Sequence, residues 1–244
     1  MNQGTYPLAA AMVNQLNRVD MISNNLANAN TTGFKQEGMS EGSFNHYLQR
    51  AESEGFTPNK VNTITNTIPK LNGKYINEEV GPIVATGNAL DFALKDSNSF
   101  FKVLNDNGQV EYTRDGSFKI LDNMLVDSKG RNILDNNNEP IATEDEYINL
   151  ISVVKIDFKD LEKVGYNNYK TKEGAQIEQL ELNDGEILQG SLEKSNINTV
   201  STMVALIDAN RRFQQTQKGI TTIDELNAKV IDKIGNNTRW SQVA

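Results

Sequence analysis

The chain has 244 residues, 37% of them hydrophobic and 23% charged, which excludes disorder throughout and allows one large or two modest domains. A net charge of −8 and a pI near 4.8, with no cluster of Lys and Arg, exclude a nucleic-acid surface, because phosphate binding needs clustered cations. There is no cysteine, hence no disulfide framework or thiolate chemistry, and no apolar run approaches the roughly 18 residues that would span a bilayer.

At the N-terminus, Ala9, Met12, Val13, Leu16, Val19, Ile22 and Leu26 fall at helical spacing, with Thr5 placed to cap the helix and Pro7 tolerated in its first turn. From Met1 to Phe34 the charged side chains are Arg18 and Asp20. A helix in open water normally surrounds its apolar stripe with charge, so this one is expected to be marginal alone and enclosed by other polypeptide after assembly. Asn24, Asn25, Asn28 and Asn30 favour a helix end, and Thr31-Thr32-Gly33 stops it. The first positive side chain is Arg18, so no basic segment precedes an apolar core, and export through a cleaved signal of that type is not expected.

Residues 36–80 say less. Phe44, Tyr47 and Leu48 are spaced to continue a short helix, and the single histidine, His46, has no second histidine or cysteine with which to share a metal. Thr57 to Lys74, with Thr63, Ile64, Thr65, Thr67 and Ile68 between Pro58 and Pro69, reads as an extended edge-type segment or ordered linker.

From Gly81 the texture changes to short strands between turn residues. Gly81-Pro82 and Gly87-Asn88 bracket one strand, and Phe92–Leu94 is a second. Phe100–Leu104 and Val110–Thr113 form a hairpin around Asn105-Asp106-Asn107-Gly108. Asp115-Gly116 turns into Ser117–Ile120, and Asp127-Ser128-Lys129-Gly130 separates Met124–Val126 from Asn132–Leu134. This spacing predicts an antiparallel sheet, sandwich or barrel.

Nothing in that region reads as a chemical site. An EF-hand loop with Gly108 as its central glycine would need an acidic ligand where Val103 stands. Glu78, Glu79, Asp157, Asp160 and Glu162 have no spacing that marks two as a glycosidase pair, and Ser117 lacks the context of a nucleophile elbow. The expectation is no catalytic residue, no metal and no cofactor.

The last run, from about Asn198 to Gly235, carries a heptad-like seam of Leu206, Ala209, Phe213, Thr216, Ile220, Ile223, Asn227, Val230 and Ile234. As a helix it would be roughly 55 Å long, more than a small core can cover, so it needs a second long helix, and the N-terminal run supplies it. Asn198 is placed to cap it, Glu225 and Lys229 form an i,i+4 pair, and Lys229 and Lys233 suit a helix end before Gly235. Val200, Met203, Val204 and Ile207 form a second apolar face, displaced from the seam, which a single partner helix would leave bare. Arg211 and Arg212, with Asp208 upstream, read as a solvated face. The fold class is therefore α+β: paired long N- and C-terminal helices with an inserted antiparallel β-domain, divided as 1–35, 36–80, 81–195, 196–235 and a tail of 236–244.

Three stretches carry a family likeness. Ser23-Asn24-Asn25-Leu26-Ala27-Asn28-Ala29-Asn30-Thr31-Thr32-Gly33-Phe34-Lys35 closely resembles the N-terminal signature of the bacterial flagellar rod and hook family. Thr86 to Leu94, Phe100-Phe101 and Tyr112 to Phe118 resemble its central β-domain, and Leu161 to Gly165 with Gln189 to Asn198 resemble the end of that domain and its return into the C-terminal helix. The likeness spans nearly the whole chain in order. Within the family, the length and Asn210-Arg211-Arg212-Phe213 resemble the proximal-rod type more than the distal-rod type or the hook.

The resemblance implies a structural subunit of the basal-body rod that leaves the cytoplasm through the flagellar type III export apparatus and polymerises in the periplasm. There, with copies of itself and other rod proteins, it would form a helical tube that passes motor torque to the hook, without membrane insertion. Asn24, Asn25, Leu26, Ala27, Asn28, Gly33 and Phe34 carry the family motif, and the expected assembly interface is Met12, Leu16, Val19, Leu26, Met203, Ile207, Phe213, Ile220, Ile223, Val230 and Ile234. A self-contained coiled-coil adhesin and a wall-cutting enzyme are the other classes; the first would need an anchor and signal, the second paired acids.

Overall fold

The computed structural model describes residues 5–43, 69–143, 147–165, 167–180 and 187–239. The helix expected at Phe44–Leu48, His46, and the stretch from Thr57 to Ile68 lie outside them. The chain divides into two compact units: Met1–Asn24 with Gly38–Tyr75 and Val200–Ala244, and Asn25–Glu37 with Ile76–Thr199.

The first unit is built on helices α1, Thr5–Ala27, and α2, Thr199–Arg239. Along α2 the covered positions are Thr202, Leu206, Ala209, Phe213, Thr216, Gly219, Ile220, Ile223 and Asn227, a three-and-four spacing that follows the expected seam, while Val230 is exposed. Leu8 of α1 lies against α2 at Gly219, where an added Cβ would stand 4.0 Å from its Cδ1. On α1, Met12, Val19 and Ile22 are covered, whereas Ala9, Val13 and Leu16 face away from that stripe. One expectation is corrected: α2 does not stop before Gly235 but runs through it to Arg239. A helical glycine costs about 1 kcal/mol relative to alanine, which a long helix absorbs without ending.

Strands β1, Glu37–Ser43, and β2, Pro69–Ile76, pair as a two-stranded ribbon. The sequence of β1, Glu-Gly-Met-Ser-Glu-Gly-Ser, has no strand-forming run, so its conformation comes from its partner rather than from propensity.

The second unit is the β-domain. Its strands are β3 (Ile83–Ala85), β4 (Phe92–Leu94), β5 (Ser99–Leu104), β6 (Val110–Thr113), β7 (Lys119–Leu121), β8 (Met124–Val126), β9 (Val153–Lys155), β10 (Leu161–Gly165), β11 (Asn168–Thr171), β12 (Glu178–Leu180), β13 (Ile187–Gln189) and β14 (Ser191–Glu193). Six of them form an antiparallel sheet in the order β10-β11-β6-β5-β9-β12. The others pair two by two, β7 with β8, β13 with β4 and β14 with β3. The return strands β13 and β14 therefore close on the first strands of the domain.

Alternation along β5 divides the core. Phe101 and Val103 join Phe92, Leu94, Phe118, Leu125, Ile133, Ile141, Ile151 and Val153 in one cluster, while Phe100 joins Tyr112, Val154, Ile156, Phe158, Leu161 and Tyr169 in another. Phe101 meets Phe118 edge-on at 5.1 Å, and Phe100, Phe158 and Tyr169 form a triangle of edge contacts at 5.2, 5.6 and 5.9 Å. Each such buried ring contributes about 1.5–3 kcal/mol by removing apolar surface from water.

Three turns share one design. Residues 105–109, 127–131 and 135–139 are five-residue loops in which the first side chain, Asn105, Asp127 or Asp135, accepts hydrogen bonds from the backbone N–H groups two and four residues on. The fourth residue has positive φ: Gly108 (74°), Gly130 (87°) and Asn138 (65°). Asn and Asp open such loops because a short side chain can stand in for a backbone acceptor. The sequence expectation of hairpin turns at Asn105–Gly108 and Asp127–Gly130 agrees with this. Between β7 and β8 the chain turns on Asp122 (φ 49°) and Asn123 (φ 63°), a two-residue loop with both residues left-handed.

A buried charged joint and the candidate assembly surface

The family-motif residues lead into a buried cluster of charge. After α1, Asn28 N–H donates to Asn25 O and Ala29 N–H to Leu26 O, and the Asn28 side chain accepts from the Thr31 hydroxyl at 3.2 Å. Asn25, buried, uses both ends of its amide on Glu37: Nδ2 donates to Glu37 O at 2.7 Å and Oδ1 accepts from Glu37 N–H at 3.0 Å. It acts as one residue of a strand partner. Leu26 is half-buried and Ala27 exposed. Gly33 has φ +65° and packs so tightly on the backbone that a Cβ would lie 2.5 Å from Arg114 C and O and 2.8 Å from Asp115 N. Phe34 is buried, with Lys163 Nζ 3.9 Å from its ring centroid.

The centre is Glu193, which stands between two cations. Its Oε1 accepts from Lys35 Nζ at 2.9 Å and from Gly81 N–H at 2.8 Å. Its Oε2 accepts from Arg114 Nε at 2.8 Å and lies 2.7 Å from Nη2. All three side chains are sealed from solvent. Arg114 Nη1 also donates to the carbonyls of Asp96, Ser97 and Ser99, at 2.8, 2.7 and 2.8 Å, so its planar fork fixes a whole loop. Lys35 Nζ has one further acceptor, Glu79 O at 2.6 Å. Burial and the neighbouring Arg114 charge push the Lys35 amine down to about 8, against the pull of Glu193.

Around this centre three parts of the chain are tied together. Glu193 O accepts from Gly33 N–H at 2.8 Å, Asn196 Oδ1 accepts from Gln36 N–H at 2.8 Å, and Asn196 Nδ2 donates to Asn77 O and Glu79 O at 3.0 Å each. Asn167 Nδ2 donates to Thr32 O at 2.9 Å. Lys35, Arg114 and Glu193 lie inside the family-like stretches, and none of the three is among the expected site residues. The available signal was charge within otherwise apolar or turn-forming motifs.

The expected interface residues separate into two groups. Met12, Val19, Leu26, Phe213, Ile220 and Ile223 are half-buried within the chain, whereas Leu16, Met203, Ile207 and Val230 are exposed; the Ile234 side chain lies outside the described residues. The second apolar face of α2 is uncovered, with Val200 72%, Met203 52%, Val204 56% and Ile207 52% exposed. On α1, Val13 and Leu16 are exposed as well. Val200, Met203, Val204 and Ile207, spaced three and four apart, make one exposed apolar stripe and a candidate interaction surface. Of the acids weighed as catalytic pairs, Asp157 accepts from Lys159 N–H in a 3-10 turn, Asp160 is half-buried, and Glu78, Glu79 and Glu162 are exposed. Among the described residues no group of His, Cys, Asp or Glu is placed to hold a metal, and no helix is long and apolar enough to cross a membrane.

Comparison with known proteins gives this arrangement a family. Residues 7–35 match the profile "Flagella basal body rod protein", residues 96–159 "Flagellar hook protein FlgE/F/G D1 domain", and residues 188–233 "Flagellar basal body rod FlgEFG protein C-terminal". The flagellar basal-body rod protein FlgG of Borreliella burgdorferi is 31% identical, the alignment covering 93% of this chain and 96% of the relative. The flagellar basal-body rod protein FlgF of Caulobacter vibrioides is 28% identical, over 89% of this chain and 91% of the relative. The flagellar hook-basal body complex protein FlhO of Bacillus subtilis is 26% identical, over 96% and 99%. With likeness along nearly its full length and two long helices flanking an antiparallel β-domain, the chain belongs to the flagellar basal-body rod protein family, of the FlgF and FlgG kind.

Proposed function

We propose that this chain is an axial subunit of the proximal rod, joining copies of itself and neighbouring rod proteins in a helical tube that carries motor torque to the hook. The observation that supports it is the uncovered apolar face Val200, Met203, Val204 and Ile207 on α2, with Val13 and Leu16 on α1. Neighbouring subunits would cover that face, and head-to-tail packing of unlike surfaces generates an open helical assembly when its rotation does not close a ring. The bundled helices would resist twist and the β-domain would stiffen the tube wall. The proximal position rests on chain length and on Asn210-Arg211-Arg212-Phe213, and export through the flagellar type III apparatus rests on family membership. The distal-rod type is the second reading, since relatives carrying both names align at comparable identity.

The test is incorporation into isolated basal bodies. Met203→Asp with Ile207→Asp is expected to abolish incorporation while the β-domain keeps its near-ultraviolet circular dichroism, and normal incorporation would refute the interface. For position, label attached to this protein in isolated basal bodies is expected on the membrane-proximal part of the rod. Label on the segment next to the hook would move the assignment to the distal rod.

A further inference from the structure

Glu193 reaches across the chain. It lies 158 residues from Lys35, 112 from Gly81 and 79 from Arg114. Its strand β14 pairs with β3, and β13 with β4, so the return segment meets the opposite end of the domain. The six-stranded sheet needs a shorter reach: β5 meets β6, and β10 meets β11, as successive antiparallel strands, and its longest pairings, Tyr112 with Tyr169 and Ser99 with Lys155, span 57 and 56 residues. The chance of closing a flexible loop falls roughly as the three-halves power of its length. Bringing Glu193 to Lys35 is therefore about sixtyfold less favourable than closing a ten-residue hairpin.

Charge reinforces the order set by loop length. In the finished domain Lys35 and Arg114 are fully buried, with one carboxylate between them. If the domain sealed around them without Glu193, two uncompensated cations would be removed from water together, a strongly unfavourable state. Their site must stay hydrated until the carboxylate arrives.

From this we infer that Glu193 is a closing lock: the six-stranded sheet forms first, and the return of residues 191–197 completes the joint as the last step. Glu193 then governs how slowly the β-domain opens and has little influence on how fast it forms. The domain stays unsealed until both flanking stretches, 31–37 and 191–197, are in place.

The test is folding and unfolding kinetics of the full chain in urea, followed by tyrosine fluorescence, with Val103→Ala in β5 as the sheet comparator. Glu193→Gln is expected to accelerate unfolding by at least about thirtyfold with less than about a threefold change in folding rate, whereas Val103→Ala slows folding. A Glu193→Gln variant that folds as much more slowly as it unfolds faster, or that changes neither rate, overturns the inference. Should Glu193→Gln fail to fold, Lys35→Met serves the same purpose. Whatever the sign of its effect on stability, the change is confined to the unfolding rate, and a change appearing in the folding rate overturns the inference.

Discussion

Through the Lys35 amine, the β-domain is expected to gain stability as the solution becomes alkaline. Its ordinary value of 10.5 falls to about 8 in the fold, chiefly through burial and then through the Arg114 charge. Below pH 8 the amine is protonated in both folded and unfolded chains, and the full cost of burying it is present. Between about 8 and 10.5 the unfolded chain binds more protons than the folded one, so stability rises with pH, by up to about 1.4 kcal/mol per unit. Across that window the gain approaches about 3 kcal/mol. Above pH 10 the sign reverses, because burial raises Tyr112 and Tyr169, and the unfolded chain then loses protons that the fold retains. Lys102 and Lys129 are also lowered by burial and add to the rise, so the wild type alone does not isolate Lys35. The measurement is urea unfolding from pH 7 to 10 on wild type and Lys35→Met. The wild type is expected to gain on the variant steadily from pH 8 upward. A constant difference, or a wild type that loses ground as pH rises, would refute the account of the joint.

Other substitutions probe the same region. Gly33→Ala places a methyl group against the Arg114 backbone at a left-handed φ, and is expected to cost about 2–5 kcal/mol in a thermal or urea unfolding transition. Arg114→Lys keeps the charge but cannot reproduce the fork that holds Glu193 and the 96–99 carbonyls, so the expected loss is about 3–5 kcal/mol by the same measurement, and near-wild-type stability would contradict it. The Tyr169 hydroxyl is buried without a hydrogen-bond partner, so Tyr169→Phe is expected to be neutral or to stabilise by about 1 kcal/mol, with a smaller loss of stability above pH 10.

The helices and early strands were legible because their signals are local. The stripe from Leu206 to Asn227 is a matter of spacing along one segment, and the hairpin loop at 105–109 needs only Asn105 and its next four residues. The joint was not legible for the opposite reason. Lys35, Arg114 and Glu193 are separated by scores of residues, and no periodicity connects them. Strand β1 was missed because Glu37–Ser43 lacks strand-forming side chains, and the turn at Asp122-Asn123 because it carries no glycine. Sequence patterning also overstated Gly235 as a stop, since one glycine near the end of a 41-residue helix perturbs it without breaking it.

The hydrogen bonds from Gly33 N–H to Glu193 O and from Gln36 N–H to Asn196 Oδ1 bring the two flanks of the β-domain together. A domain tethered in this way behaves as a cassette: exposed loops between the flanks can be lengthened, shortened or exchanged, provided that Gly81 and Arg114, which complete the joint from the middle of the sequence, are kept. An engineer can graft a tag or binding module into the exposed tip of the 105–109 loop, far in sequence from both flanks, on the same principle.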